Sequence, residues 1–209
     1  MEALPLLWIW MQYIGMKNNL ALLGGTFDPV HIGHIKLFHN VYSKAGFTHL
    51  IVIPAYISNF KQETHPASFQ DRVEMLKLAI LDYKEMYPGD MLDIEISTYE
   101  GDKKGVSYTS ETIKDFYDRA QDDGKVNFII GDDILPTLNK WHDFDYLKEN
   151  VRFFCFPREG KSGDWGAEVV QVISPLTEAS SSQVRSGEGG LLSKRVKEYV
   201  DAHQLYRSI

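Results

Sequence analysis

Short apolar runs recur along this chain, each bounded by glycine or proline and followed by polar or helically spaced residues: Leu20-Ala21-Leu22-Leu23, Thr48 to Ala55, Val126 to Ile130 and Val151 to Phe156. A run of this length with no polar alternation must be covered on both faces. Strands alternating with helices meet that need as a parallel sheet with helices on each side. The expected fold class is therefore α/β, a doubly wound parallel sheet. Such sheets bind ligands beyond the C-terminal ends of their strands, where the strand order reverses. The polar candidates Gly24 to His34, Lys61, Gly131 to Asp133, Arg158, Ser181 and Arg185 all follow strand ends.

At 209 residues and 44% hydrophobic, the chain can bury one full core, so residues 16–209 are expected to form a single domain. The formal charge is −7 and no run of five basic residues occurs, which argues against a nucleic-acid or anionic-membrane surface. An acidic protein that takes anionic ligands must concentrate its positive groups locally. Cys155 is the single cysteine, which excludes an internal disulfide and a cysteine-based zinc cluster and fits a reducing, cytoplasmic setting. It lies in an apolar run, so a buried thiol is expected. Residues 1–15 are apolar and aromatic but shorter than the roughly 20 residues of a membrane span. With no basic n-region they read as an extension outside the fold. The sequence is compatible with a homo-oligomer.

Between the apolar runs, Ser68 followed by Asp71 approximates a capping box ahead of Val73, Met75, Leu76, Ala79 and Ile80 at helical spacing. Tyr56 to Ala67 reads as irregular, Met91 to Thr98 as a strand, Gly101 to Gly105 as a turn, and Ser107 to Thr112 as the start of a helix running to about Arg119. Short helices are expected over 138–141 and 143–150, a strand over 168–173, and a final amphipathic helix capped by Ser193.

The stretch Gly24-Gly25-Thr26-Phe27-Asp28-Pro29-Val30-His31-Ile32-Gly33-His34 carries the chemistry. A strand enters it and an amphipathic helix leaves it. Glycines let the main chain approach a phosphate, and the N–H groups of a helix start favour one. His31 and His34 add proton-tunable donors in the first turn. A glycine pair after a strand also serves as a plain turn. Followed by H-x-x-H at a helix start, it points to phosphate handling. The spacing is not a dinucleotide fingerprint, and Gly160-Lys161-Ser162 fails as a P-loop because Cys155 stands where the earlier glycine is required. The histidine pair could ligate zinc, but nothing in the spacing of His65, His142 or Asp133 supplies a third ligand. Ser181 and Arg185 share a helical face that suits a phosphate clamp, although Ser180 to Ser182 also reads as a plain cap. Tyr108 and Thr109 offer hydroxyls and backbone N–H groups at a helix start, where capping alone would also explain Thr109. Trp141-His142 is either core packing or a stacking platform for a ring.

Taken together these segments resemble the bacterial nicotinate-nucleotide adenylyltransferases, within the H-x-G-H nucleotidyltransferase superfamily. The resemblance is carried, in order, by Gly24 to His34, Phe69 to Ile80, Ser107-Tyr108-Thr109, Phe128 to Asp133, Lys140-Trp141-His142, Pro157 to Gly160 and Ser180 to Arg185. It implies a Rossmann-like nucleotidyltransferase fold and transfer of AMP from ATP to nicotinate mononucleotide, giving deamido-NAD and pyrophosphate without a covalent intermediate. Magnesium would be bound through the ATP phosphates, with no metal ligands of the protein's own. By the same resemblance, His31, His34 and Arg185 are catalytic. Gly24, Gly25, Thr26 and Phe27 line the ATP site through their backbone, and Lys61, Asp133 and Ser181 join Arg185 in binding ATP. Tyr108, Thr109, Trp141, His142 and Arg158 form the pyridine-nucleotide pocket. Ser58-Asn59-Phe60-Lys61 departs from the family's frequent Pro-Pro-His-Lys, and Glu159 stands where proline is frequent. Rival readings are a superfamily enzyme with another acceptor, such as nicotinamide mononucleotide or phosphopantetheine, and a non-catalytic nucleotide-binding regulator.

Overall fold

A computed structural model describes residues 19–58, 67–120, 124–157, 167–175, 179–187 and 189–206. The expected extension, Lys61 and Arg158 lie outside the described residues. The first strand, β1 (Leu20–Gly25), leads to α1 (Ile32–Ser43), then β2 (His49–Pro54), the short β3 (Ile57–Ser58) and α2 (Phe69–Met86). β4 (Asp93–Ile96), α3 (Tyr99–Lys103), β5 (Val106–Ser107) and α4 (Thr109–Ala120) follow. β6 (Val126–Gly131), a 3-10 helix over Leu135–Lys140, α5 (Phe144–Asn150), β7 (Val151–Phe156) and β8 (Val169–Gln171) come next. The described chain closes with α6 (Ser181–Arg185), a 3-10 turn over Gly189–Leu191 and α7 (Lys194–Ala202).

The main sheet has the order β4-β2-β1-β6-β7-β8, and every pairing in it is parallel. Its strands are apolar on both faces because each face has its own core. Ala21, Leu23, Leu50, Val52 and Ile129 pack with α1 and α2 through Ile35, Phe38, Leu76 and Ile80. Leu20, Leu22, Ile51, Ile53, Phe128 and Phe153 pack on the other side with Ile113, Phe116 and Leu147. The order turns back between β1 and β6, where Leu22 pairs with Phe128 and Leu23 with Ile129. Gly24-Gly25 and Gly131-Asp132-Asp133 therefore leave the sheet side by side, at the switch point where such folds bind ligands.

Several boundaries differ from the sequence expectation. The strand expected over 91–98 is confined to Asp93–Ile96. Its ladder closes with Ser97 donating to the Val52 carbonyl, because the next donor on β2 would be Pro54, which has no N–H. The strand expected over 168–173 spans Val169–Gln171. Gly101 is no turn residue: it sits inside α3, where a Cβ would come within 2.2 Å of the Phe69 ring, so its bareness allows close packing. The irregular stretch after β2 contains β3, which pairs Ile57 with Val106 and Ser58 with Ser107 in a second, two-stranded parallel sheet. Ser193 precedes α7 as expected, but its hydroxyl makes no cap bond. Ser68 caps α2 as expected, accepting from the Asp71 N–H at 3.1 Å.

Candidate active site

A cavity of about 580 Å³ opens at the switch point, and it is lined by Gly24 to Asp28, His31, His34, Tyr108, Thr109, Asp133, Trp141, His142, Ser181 and Arg185, among others. Residues from at least five separate segments of the sequence thus meet in one space. The loop from β1 to α1 forms its floor. A Cβ on Gly24 would lie 3.0 Å from the Phe128 ring, and one on Gly25 would lie 2.9 Å from the Phe27 ring. These glycines are required by neighbouring aromatic rings as well as by any ligand. Phe27 has φ of 52°, a left-handed conformation that costs a bulky residue free energy and that its surroundings must enforce. Its side chain is buried and packs 5.1 Å from the His34 ring, so Phe27 contributes more than the backbone contact expected of it.

His31 is the N-cap of α1. Its Nδ1 accepts the Gly33 N–H at 3.1 Å, while its own N–H donates to His34 Nδ1 at 3.2 Å. This is a reciprocal cap of the kind serine and glutamate usually make, built from two imidazoles whose centroids are 3.9 Å apart. An Nδ1 that accepts a backbone proton carries none itself. Each neutral ring therefore holds its proton on Nε2 and can donate from there.

The short helix α6 docks on this loop. Ser180 caps it, pairing reciprocally with Gln183. Ser181 Oγ donates to the Pro29 carbonyl at 2.9 Å, and Arg185 Nη1 donates to the Asp28 carbonyl with the Asp28 carboxylate 3.8 Å away. Elsewhere in the cavity wall, the Tyr108 and His142 rings lie 4.5 Å apart, and Ser110 Oγ hydrogen-bonds His142 Nδ1 at 2.9 Å. Trp141 lines the cavity while its edge meets Phe128 and Phe153 at 6.1 and 6.2 Å. Trp141 thus packs in the core and borders the cavity at once. Among the described residues, no group of three His, Cys, Asp or Glu side chains is placed to hold a metal ion, and no helix is long and apolar enough to cross a membrane.

Residues 22–187 match the cytidylyltransferase-like family model. The chain is 33% identical to a protein of Treponema pallidum named probable nicotinate-nucleotide adenylyltransferase, across 91% of this chain and 100% of that one. It is 32% identical to the protein of the same name from Listeria monocytogenes serotype 4a, across 91% and 98%. The chain belongs to the nicotinate-nucleotide adenylyltransferase family. In fold, it matches the Plasmodium falciparum nicotinic acid mononucleotide adenylyltransferase solved with NaAD at a TM-score of 0.67 and 15% identity, covering 90% of this chain and 97% of that one.

Three residues in or behind this cavity escaped the sequence reading. Arg72 is 1% exposed and donates to the carbonyls of Thr26, Ala55, Tyr56 and Ala67 at 2.8, 2.7, 3.1 and 3.2 Å, pinning the floor loop to the segments after β2. The available signal was a charged residue on the apolar stripe of α2, in line with Leu76, Ala79 and Tyr83. Glu100 is 4% exposed, lines the cavity and accepts a hydrogen bond from Thr112 Oγ1. Burial pushes its carboxyl above the usual glutamate range, against the lowering effect of its bonds to Thr112 and Ser107. Asp28, quoted only as part of the motif, is a buried hub described below.

Proposed function

We infer that this cavity is where the chain, a nicotinate-nucleotide adenylyltransferase, transfers AMP from ATP to nicotinate mononucleotide. A phosphate oxygen of the mononucleotide attacks the α-phosphorus of ATP. A new P–O bond forms as the bond to the β-phosphate breaks, and pyrophosphate leaves with the electron pair. Nothing in the step needs a nucleophile from the protein. Catalysis is positioning plus stabilisation of charge on the phosphoryl oxygens.

The observation that carries this assignment is the reciprocal cap. With both Nδ1 atoms accepting from the backbone, the His31 and His34 rings are fixed in orientation at the cavity wall, and a neutral ring so held carries its proton on Nε2. His34 is the donor to the α-phosphate in the transition state, with His31 beside it. Ser181 and Arg185 hold the departing β- and γ-phosphates, with Lys61 as a further contact from outside the described residues. Gly24, Gly25 and Thr26 give the phosphates a close main-chain approach, and Phe27 backs His34. Asp133 faces the nucleotide from the end of β6.

At the acceptor end, the pyridine ring stacks on Trp141 and its carboxylate meets the start of α4 at Tyr108 and Thr109, beside His142. Arg158 is assigned to the mononucleotide. Magnesium fits the site as a substrate-borne ion. It prefers phosphate oxygens with one or two carboxylates, and Asp133 is a carboxylate in the cavity wall. When bound it would neutralise charge on the triphosphate. The site is read as acting on free nucleotides in the cytoplasm. Incubation of the purified chain with ATP, magnesium and either nicotinate or nicotinamide mononucleotide tests the assignment. Pyrophosphate is expected with the acid, and equal or better use of the amide would overturn the choice of acceptor.

A further inference from the structure

Asp28 places a carboxylate, 5% exposed, in the wall of the cavity beside Arg185. If the cavity takes ATP, as inferred above, that carboxylate repels the phosphates and competes with them for the same guanidinium. Its surroundings restrain it. Oδ1 accepts from the Tyr206 hydroxyl at 2.6 Å and from the Ala67 N–H at 2.9 Å, while Oδ2 lies 3.8 Å from Arg185 Nη1. The Arg72 guanidinium also acts electrostatically on Asp28. Tyr206 reaches this point from beyond the last helix, 178 residues further along the chain. It is held at φ of 58°, left-handed for a bulky residue, with its ring against the α1–α2 face core. Burial first, and the bond to Asp28 second, raise the phenol's pKa, so the hydroxyl remains a donor throughout the neutral range.

We propose that Tyr206 is a positioning residue for ATP: by donating to Asp28 it holds that carboxylate off Arg185 and leaves the guanidinium to the triphosphate. Removing the hydroxyl takes one of the two donors from Oδ1. Of the two guanidinium groups that act on the carboxylate, Arg72 is committed to four main-chain carbonyls, so it is Arg185, already anchored on the Asp28 carbonyl, that closes on the carboxylate and is withdrawn from the phosphates. The effect falls on ATP and spares the mononucleotide, which is assigned to other residues of the cavity wall, Tyr108, Thr109, Trp141 and His142.

The test uses the full chain and steady-state kinetics with each substrate varied in turn. Tyr206→Phe keeps the ring and its packing, and is expected to raise KM for ATP about tenfold with KM for nicotinate mononucleotide changed less than about twofold, as expected for one charge-assisted contact. Adding Asp28→Asn in that background is expected to return KM for ATP to within about threefold of the parent. The amide oxygen still accepts from the Ala67 N–H, and the neutral side chain no longer competes for Arg185. Thermal melts of both variants separate this from general loosening, which would raise both KM values together and would not be reversed by Asp28→Asn. An unchanged KM for ATP in Tyr206→Phe, or no recovery in the double variant, overturns the proposal while leaving the assignment of the cavity intact. A parent protein that neither binds nor turns over ATP overturns both.

Discussion

The main-chain N–H of His31 donates to Nδ1 of His34 at 3.2 Å, so the second histidine of the motif completes the helix cap that the first one begins. The chemistry proposed for the pair and the folding of α1 therefore rest on opposite sides of the same two rings. Nδ1 serves the helix, and in the proposed mechanism Nε2 serves the phosphate.

That division separates stability from turnover. His34→Ala loses the cap acceptor and the Nε2 donor together, and is expected to cost about 1 kcal/mol of stability and at least about a hundredfold in kcat, with ATP still bound. His34→Gln restores a cap acceptor and should recover most of the stability, with turnover still at least about tenfold below the parent. Denaturant titrations beside single-turnover assays read both quantities. A glutamine variant that recovers stability and full turnover would remove Nε2 from the mechanism.

Glu100 gives a pH signature. Its folded-state pKa is raised above the ordinary value of 4.5, chiefly by burial. The protonated form is therefore favoured by folding, and this contribution is full below the unfolded pKa and lost as pH rises through the folded one. Glu100→Gln should accordingly gain stability relative to the parent as pH is raised from about 4 to 8. A difference that stays constant, or shrinks with rising pH, would contradict the burial account.

Arg72 is a guanidinium satisfied largely by main-chain carbonyls in the protein interior. Replacing it with methionine removes the charge and leaves the Thr26, Ala55, Tyr56 and Ala67 oxygens short of a donor, at a cost of about 3 kcal/mol or more. Urea unfolding measures this, and a loss under about 1 kcal/mol would mean that water or other donors replace the contact.

Cys155 is fully buried in β7, and its thiol is pushed up to about 12, mainly by burial and further by Asp132 and Asp133. It should resist a thiol reagent at neutral pH in the folded protein and react fully once unfolded. Rapid reaction with the native chain would show that β7 opens readily.

What could be read from residues alone followed from local rules. The apolar runs announced strands buried on both faces, Ser68 announced a helix start, and a glycine pair before two histidines announced a loop at a helix start. The convergence of Gly24, Asp133, Ser181 and Arg185 is an expectation from strand ends, and strand order brings them to one cavity, where Tyr108 and Trp141 join them from a helix start and a loop. Partners distant in sequence were not legible. Nothing near Tyr206 indicates that it bonds to Asp28, and nothing near Arg72 names its four carbonyls. Gly101 misled for a related reason. A glycine's local meaning is a turn, and only the Phe69 ring, brought there by the fold, explains its place in a helix.

Pyrophosphate release from ATP, followed with nicotinate mononucleotide in parent and His34→Ala protein, tests the central claim most directly. The account predicts release that depends on the acid form of the mononucleotide and falls at least about a hundredfold in the variant. Release that is indifferent to the acceptor, or that is unchanged without His34, would contradict it.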